Sequence, residues 1–125
     1  MSRAILLFLA AGNIVFGVFI FAVPMTFYTS VPGVEMLGPF SVHFIRDAGL
    51  AYLAGGATLF WGALKFNRPV AIAGTIWVCL HALFHLQMWV SRGLPFDEVG
   101  IVNLIGLQLP AWLALFLATQ IKGRS

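Results

Sequence analysis

Two pairs of ionisable residues in this sequence have the spacing that places side chains on one face of a helix. His81 and His85 are four residues apart, and so are His43 and Asp47. A separation of four residues puts two side chains one above the other on an α-helix. Imidazole nitrogens and carboxylate oxygens are ligands of zinc, copper and iron. The four residues are therefore candidate metal ligands, provided that the fold brings the two pairs together.

The composition indicates a membrane protein. Of the 125 residues, 61% are hydrophobic and only 9% are charged, whereas a soluble domain carries about 25% charged residues. A membrane-spanning helix needs about 20 mostly apolar residues, and four segments are long enough. We therefore predict an all-α fold, a four-helix transmembrane bundle forming a single domain over residues 1–125, with spans at about 4–23, 41–64, 69–90 and 99–121.

The charged residues near the ends of these segments predict the orientation of the chain. One side of the membrane would hold Arg3, Lys65, Arg68, Lys122 and Arg124, and the other would hold Glu35, Arg92, Asp97 and Glu98. Because basic residues accumulate on the cytoplasmic side, both termini are expected in the cytoplasm. The net charge of +3 then reflects membrane orientation, and we expect no nucleic-acid partner.

The outer loop, residues 24–40, is rich in aromatic residues around a turn at Pro32 and Gly33. Proline followed by glycine suits a type II turn, and aromatic residues favour the membrane–water interface. The composition predicts a short interfacial segment that lies over the outer end of the bundle and could act as a lid.

The two pairs are expected at similar depths. At about 1.5 Å per helical residue, Asp47 and His85 both lie roughly 9 Å below the outer ends of their spans. His43 would lie at roughly 3 Å and His81 at roughly 15 Å on the same count. All four residues would then occupy the outer half of the membrane, where ionisable groups are costly and usually functional.

Small residues suggest which faces of these spans meet. Ala51, Ala54 and Gly55 follow the His43–Asp47 pair, and Gly74 precedes His81. Small residues let transmembrane helices approach closely. We therefore expect these faces to pack together and the two pairs to point into the bundle.

The predicted site is a transition-metal centre formed by His43, Asp47, His81 and His85. Met88 lies three residues after His85, and because a thioether favours copper, copper is slightly preferred over zinc or iron. Arg46 adjoins Asp47, and an ion pair between them would leave three histidines as ligands.

Alternative interpretations stay open. Haem b could be held by histidines on separate helices, with Arg46 and Asn103 as further cofactor-binding candidates. A quinone could use histidine and aspartate as proton partners. In a purely structural subunit, His81 and His85 would only brace Asn103 or a backbone carbonyl.

Several short motifs resemble a group of small uncharacterised bacterial four-span integral membrane proteins. These are the stretches Val31-Pro-Gly-Val34, Gly38-Pro-Phe40, His43-Phe-x-Arg46-Asp47, Ala51-Tyr-Leu53 and His81-x-x-x-His85. The resemblance covers most of the chain. It implies a four-helix bundle in a bacterial inner membrane and carries no assigned activity.

We expect a metal-binding accessory or a redox subunit of a membrane complex. Its partners would be the lipid bilayer and either other membrane subunits or further copies of the chain. The sequence has no nucleophile elbow and no pair of cysteines, and it leaves open whether the protein is an enzyme.

Overall fold

The computed structural model describes residues 2–122, and all regular secondary structure within this range is helical, as predicted. Helix α1 covers Ser2–Ala22, and the short α2 covers Pro24–Ser30. Helices α3 and α4 cover Val42–Leu64 and Arg68–Ser91. A last continuous stretch consists of α5 at Glu98–Ile101, a π-helix at Val102–Gln108 and α6 at Leu109–Thr119.

Three helical stretches among residues 2–122 are long and apolar enough to cross a membrane. They are Ser2–Ala22, Arg68–Ser91 and Glu98–Thr119, one fewer than the four predicted spans. Helix α3 has 23 residues and is not among them, because its first two turns carry His43, Arg46 and Asp47 and several glycines lower its hydropathy further.

The long helices form an up-down-up-down bundle. Helix α3 packs between α1 and α4, while α6 contacts both α4 and α1 and closes the ring. We call the end that holds Arg3, Lys65, Arg68 and Lys122 the basic end. The opposite end, which holds His43 and the segment 24–40, is called the histidine end.

Glycine contacts set the close approach of α1 and α3. A methyl group added at Gly17 would lie 2.6 Å from the carbonyl oxygen of Gly49, and one added at Gly49 would lie 2.9 Å from that of Gly17. Farther along α3, a methyl group at Gly56 would lie 2.9 Å from the backbone nitrogen of Ile14. These contacts leave no room for a side chain, so backbone meets backbone over several turns.

The contact between α3 and α4 also depends on small residues. Gly62 meets the backbone of Ala71, and Gly74 meets that of Leu59. Gly74 was expected in this contact, and Gly55 faces its carbonyl oxygen. Ala54, however, is exposed, so the predicted contact face of α3 was partly wrong.

Polar side chains cap the N-termini of three of the helices. Ser41 accepts a hydrogen bond from the Phe44 amide at the start of α3, and Asn67 accepts one from Val70 at the start of α4. Asp97 accepts from the Gly100 amide at 2.8 Å, and its other carboxylate oxygen lies 2.7 Å from the Arg92 guanidinium. The hydrogen bond from the Gly100 amide has the largest effect, and together with the contact to Arg92 it holds the pKa of Asp97 below its ordinary value.

The segment 24–40 lies over the histidine end. Phe27 packs against Phe16, with ring centroids 5.8 Å apart, and Gly33 contacts the side chain of Val99. Pro32 and Gly33 form the predicted turn, since Gly33 has φ of +92° and the Val34 amide donates to the Val31 carbonyl. The segment therefore reaches from α1 across to α5.

Candidate functional site

His81 and His85 form a close pair on α4. Their ring centroids are 4.5 Å apart, as their i, i+4 spacing predicts. Both side chains are partly exposed at the surface of the bundle, and the Phe84 ring lies 6.1 Å from that of His85. Two imidazoles therefore meet at one place on the surface of a mostly apolar helix.

A cluster of aromatic rings holds His81 in place. The Trp77 indole stacks on it, with centroids 5.3 Å apart and planes inclined by 20°. Tyr52 of α3 meets it edge-on at 5.6 Å, and Phe16 of α1 lies 5.1 Å from Tyr52. Residues from three helices therefore fix the orientation of this imidazole, which limits the freedom that ligand binding would have to remove.

Neither Tyr52 nor Trp77 was singled out from the sequence. For Trp77 a signal was present, because residues 77, 81 and 85 form one series at intervals of four on a single helix face. Tyr52 has no such signal, since its contact with His81 depends on the register between α3 and α4. The indole nitrogen of Trp77 is buried and has no hydrogen-bond partner among residues 2–122.

His43 and Asp47 lie elsewhere. They pair with each other, with Nε2 and Oδ2 3.3 Å apart, and their side chains are 89% and 58% exposed. His43 is nine residues from Tyr52, which is about two and a half turns at 3.6 residues per turn. His43 therefore lies on the opposite face of α3 from Tyr52, the residue that contacts His81. The expectation that this pair points into the bundle was wrong.

The four predicted ligands therefore form two separate pairs. Among residues 2–122, no group of three or more His, Cys, Asp or Glu side chains could hold one metal ion. Equal depth was the basis for joining the pairs, but depth does not determine the direction in which a helix presents its side chains. Among residues 2–122, each pair therefore offers a metal ion two ligands, and His81 and His85 are the pair made of two imidazoles.

Arg46 contacts the C-terminal end of α1 and does not pair with Asp47. Its Nε donates a hydrogen bond to the carbonyl oxygen of Phe21 at 3.2 Å, and its guanidinium lies 5.3 Å from the centre of the Phe21 ring. The last carbonyls of a helix lack partners within the helix and attract cations. The alternative in which Arg46 forms an ion pair with Asp47 is not realised, and Asp47 is paired with His43 instead.

Asn103 belongs to a buried polar network. Gln108 donates hydrogen bonds to the Asn103 side-chain oxygen at 3.1 Å and to the Ala82 carbonyl at 2.7 Å, and it accepts one from Trp112. This network joins the last helical stretch to α4. Asn103 is 4% exposed, and its side-chain nitrogen has no partner among residues 2–122.

The π-helix at Val102–Gln108 carries two members of this network. Pro110 follows closely and has no amide hydrogen to donate to the carbonyl of Gly106, so the regular α-helical pattern is interrupted here. The wider turn sets Asn103 and Gln108, five residues apart, within hydrogen-bond distance. A proline inside a helix predicts a distortion near Pro110, but it does not predict the π-helical form.

No protein-family model, curated protein or solved structure matches this chain.

Proposed function

We propose that this protein is a four-span integral membrane protein of a bacterial inner membrane that binds a transition-metal ion through His81 and His85. It would act as a metal-binding accessory or as a redox subunit of a membrane complex. The observation that carries the proposal is the pair of imidazoles, 4.5 Å apart and partly exposed on a helix long and apolar enough to cross a membrane.

Helix α3 is proposed as the fourth span because of its packing. It contacts α1 and α4 along most of its length, and at about 1.5 Å per residue its 23 residues reach about 35 Å. A helix packed in this way between two spans shares their depth. Its polar first turns then lie at the membrane–water interface, where charged groups are tolerated.

The charges support an orientation with the basic end in the cytoplasm. Arg3 donates hydrogen bonds to the carbonyl oxygens of Ala63 and Leu64 at this end. At the histidine end, Arg92 is paired with Asp97. The excess of basic residues at one end follows the positive-inside rule, and it would place His81 and His85 in the outer half of the membrane.

The ring distance suits chelation. With metal–nitrogen bonds of about 2.0–2.1 Å, two imidazoles bound to one ion have ring centroids roughly 4.5 Å apart at a 90° angle between the bonds and roughly 5.2 Å apart at the tetrahedral angle. The observed 4.5 Å requires little movement beyond rotation of the rings. Met88 lies one turn beyond His85, and because a thioether favours copper, copper is the preferred ion.

The same geometry favours a metal ion over haem b. Two axial histidines of a haem lie on opposite sides of the iron, whereas His81 and His85 extend from one face of one helix. An absorption spectrum with a Soret band would nevertheless identify haem in the purified protein.

The contacts of His81 with Trp77 and Tyr52 support the second candidate, a structural role in helix packing.

The test is metal content after loading with Cu²⁺ or Zn²⁺ and removal of free ion. We expect His81→Ala and His85→Ala each to weaken binding at least tenfold in the purified protein. His43→Ala is the matched control, because it removes the same side chain from a pair on another surface, and it should leave binding unchanged. Full metal content in the His81/His85 double variant would refute the metal proposal and favour the structural role.

A further inference from the structure

The basic end of the bundle carries a pocket that the proposed metal site does not use. It has a volume of about 170 Å³ and lies between the start of α1, the end of α3 and the end of α6. Part of its lining comes from the buried core of this end and is apolar, as at Leu6 and Leu117. The polar residues that line it are Ser2, Arg3, Gln120 and Lys122. A pocket with an apolar floor and two cations suits a ligand that is both apolar and anionic.

Two backbone carbonyls hold Arg3 in a fixed orientation. Its guanidinium donates hydrogen bonds to the carbonyl oxygens of Ala63 and Leu64 at 3.1 and 3.0 Å, and it lies 4.1 Å from the centre of the Phe66 ring. A guanidinium has five N–H donors, so three remain without a partner among residues 2–122. Phosphate oxygens accept hydrogen bonds from arginine in a bidentate geometry. Because the side chain is already ordered, binding an anion costs little further conformational entropy.

No acidic side chain of the chain neutralises the cations of the pocket. The four acidic residues are Glu35, Asp47, Asp97 and Glu98, and all of them lie at the histidine end. Lys65 and Arg68 are exposed at the basic end and add to its positive potential. Clusters of basic residues beside transmembrane helices attract anionic phospholipids. The charges of the chain therefore favour an anion in this pocket.

An apolar groove on the surface of α6 adjoins the pocket. It has a volume of about 500 Å³, and its lining is largely apolar and includes Leu109, Leu113 and Phe116. Phe116 of the groove lies four residues before Gln120 of the pocket, so the two cavities occupy adjacent turns on one face of the helix. From Leu109 to Gln120 the helix rises about 16 Å. This length matches one leaflet, which is half of a hydrocarbon core about 30 Å thick.

We infer that the pocket and the groove together bind one anionic phospholipid, with its phosphate at Arg3 and Lys122 and an acyl chain along α6. The inference is independent of the proposed metal site. Helix α1 and the stretch that ends in α6 are both long and apolar enough to cross a membrane, so their ends at the pocket lie at the level of lipid headgroups. A soluble phosphate compound would use the two cations but not the groove, and the groove therefore favours a lipid.

The experiment uses the full chain in micelles of a neutral detergent, titrated with phosphatidylglycerol or with phosphatidylcholine. Native mass spectrometry in ammonium acetate at physiological ionic strength counts the lipids bound to each chain. Lys122→Gln and Arg3→Gln each remove one cation of the pocket. Lys65→Gln and Arg68→Gln are the matched controls, because they remove the same two kinds of charge from the basic end but do not line the pocket.

We expect one phosphatidylglycerol per chain, bound more than about tenfold more tightly than phosphatidylcholine, because each cation near the headgroup adds to the affinity. Lys122→Gln and Arg3→Gln should each weaken its binding by about fivefold. The two control variants should stay within about twofold of wild type, because salt screens charges that do not contact the lipid. Lys122 is exposed and lies beyond the end of α6, so Lys122→Gln tests the site without disturbing the helix contacts that Arg3 makes.

Three results would overturn the inference. Equal affinities for the two lipids would show that the pocket does not recognise an anionic headgroup. Equal losses in the pocket variants and in the controls would show a general attraction to the basic end. Displacement of phosphatidylglycerol by excess inorganic phosphate or glycerol phosphate would assign the pocket to a soluble phosphate compound. Metal binding by His81 and His85 is measured separately and is unaffected by any of these results.

Discussion

Replacement of Gly17 by alanine should separate α1 from α3, and the structure sets the size of the effect. The new methyl group would lie 2.6 Å from the Gly49 carbonyl oxygen and 2.7 Å from the Leu53 backbone nitrogen. Ordinary contacts begin at 3.4 Å, so the backbones must move apart by about 0.8 Å. Overpacking of this kind costs about 1–3 kcal/mol.

Gly12→Ala is the matched control on the same helix. A methyl group at Gly12 meets nothing within 4 Å, and alanine is favoured over glycine in a helix by about 1 kcal/mol in water. Both variants receive this propensity gain, so their difference isolates the helix contact. We expect Gly17→Ala to be less stable than Gly12→Ala by about 1–3 kcal/mol.

The measurement is the free energy of unfolding in detergent micelles, obtained by reversible denaturation of wild type and both variants. Dissociation of α1 from the bundle can be followed by near-UV circular dichroism, because the Phe16 ring of α1 packs against the Tyr52 ring of α3. Equal stability of the two alanine variants would refute the argument, because it would mean that α1 and α3 are not held at backbone contact.

The remaining predictions concern three other places. Gln108→Leu should destabilise the protein by about 1–3 kcal/mol, since it leaves the buried Ala82 carbonyl and the Trp112 indole without their partner; unfolding measurements on Gln108→Leu against wild type test this. Asp97 has a pKa lowered mainly by the Gly100 amide, so its contribution to stability is full above about pH 4 and is lost as the pH falls through its lowered folded-state pKa. The stability difference between wild type and Asp97→Asn should therefore shrink below about pH 4, and a difference independent of pH would contradict the assignment. A reporter active only in the periplasm, fused after Ser125, should be silent, and strong activity would contradict the proposed orientation.

Local features of the fold were predictable from the sequence. The helical fold followed from the hydrophobic composition, and the turn at Pro32 and Gly33 followed from their backbone preferences. The proximity of His81 and His85 needed only the geometry of one helix. Each of these features depends on residues that are close together in the sequence, so the residue types and their spacing are sufficient to predict it.

The rotation of α3 about its own axis was not predictable in the same way. In a soluble helix, polar residues mark the outer face, but in a membrane both the lipid-facing and the packed faces are apolar. Small residues were the remaining guide, and α3 has them on several faces: Gly49 meets α1, Gly62 meets α4, and Ala54 is exposed. The direction of the His43–Asp47 pair was therefore predicted wrongly. Because the pair lies away from His81 and His85, the predicted number of ligands at the candidate site was wrong as well.

The dependence of α3 on its two neighbours has a consequence for biogenesis. Segments enter the bilayer from the translocon according to their apolarity, and charged residues such as Arg and Asp oppose entry most strongly. Helix α3 carries both near its start and is less apolar than α1, which is synthesised first. As the proposed fourth span, α3 would be assisted in its insertion by α1, which is already at the translocon and whose Arg3 can donate hydrogen bonds to the last carbonyls of α3. Substitutions that weaken the Gly17–Gly49 contact should thus reduce the yield of correctly inserted chain in addition to the stability of the mature protein.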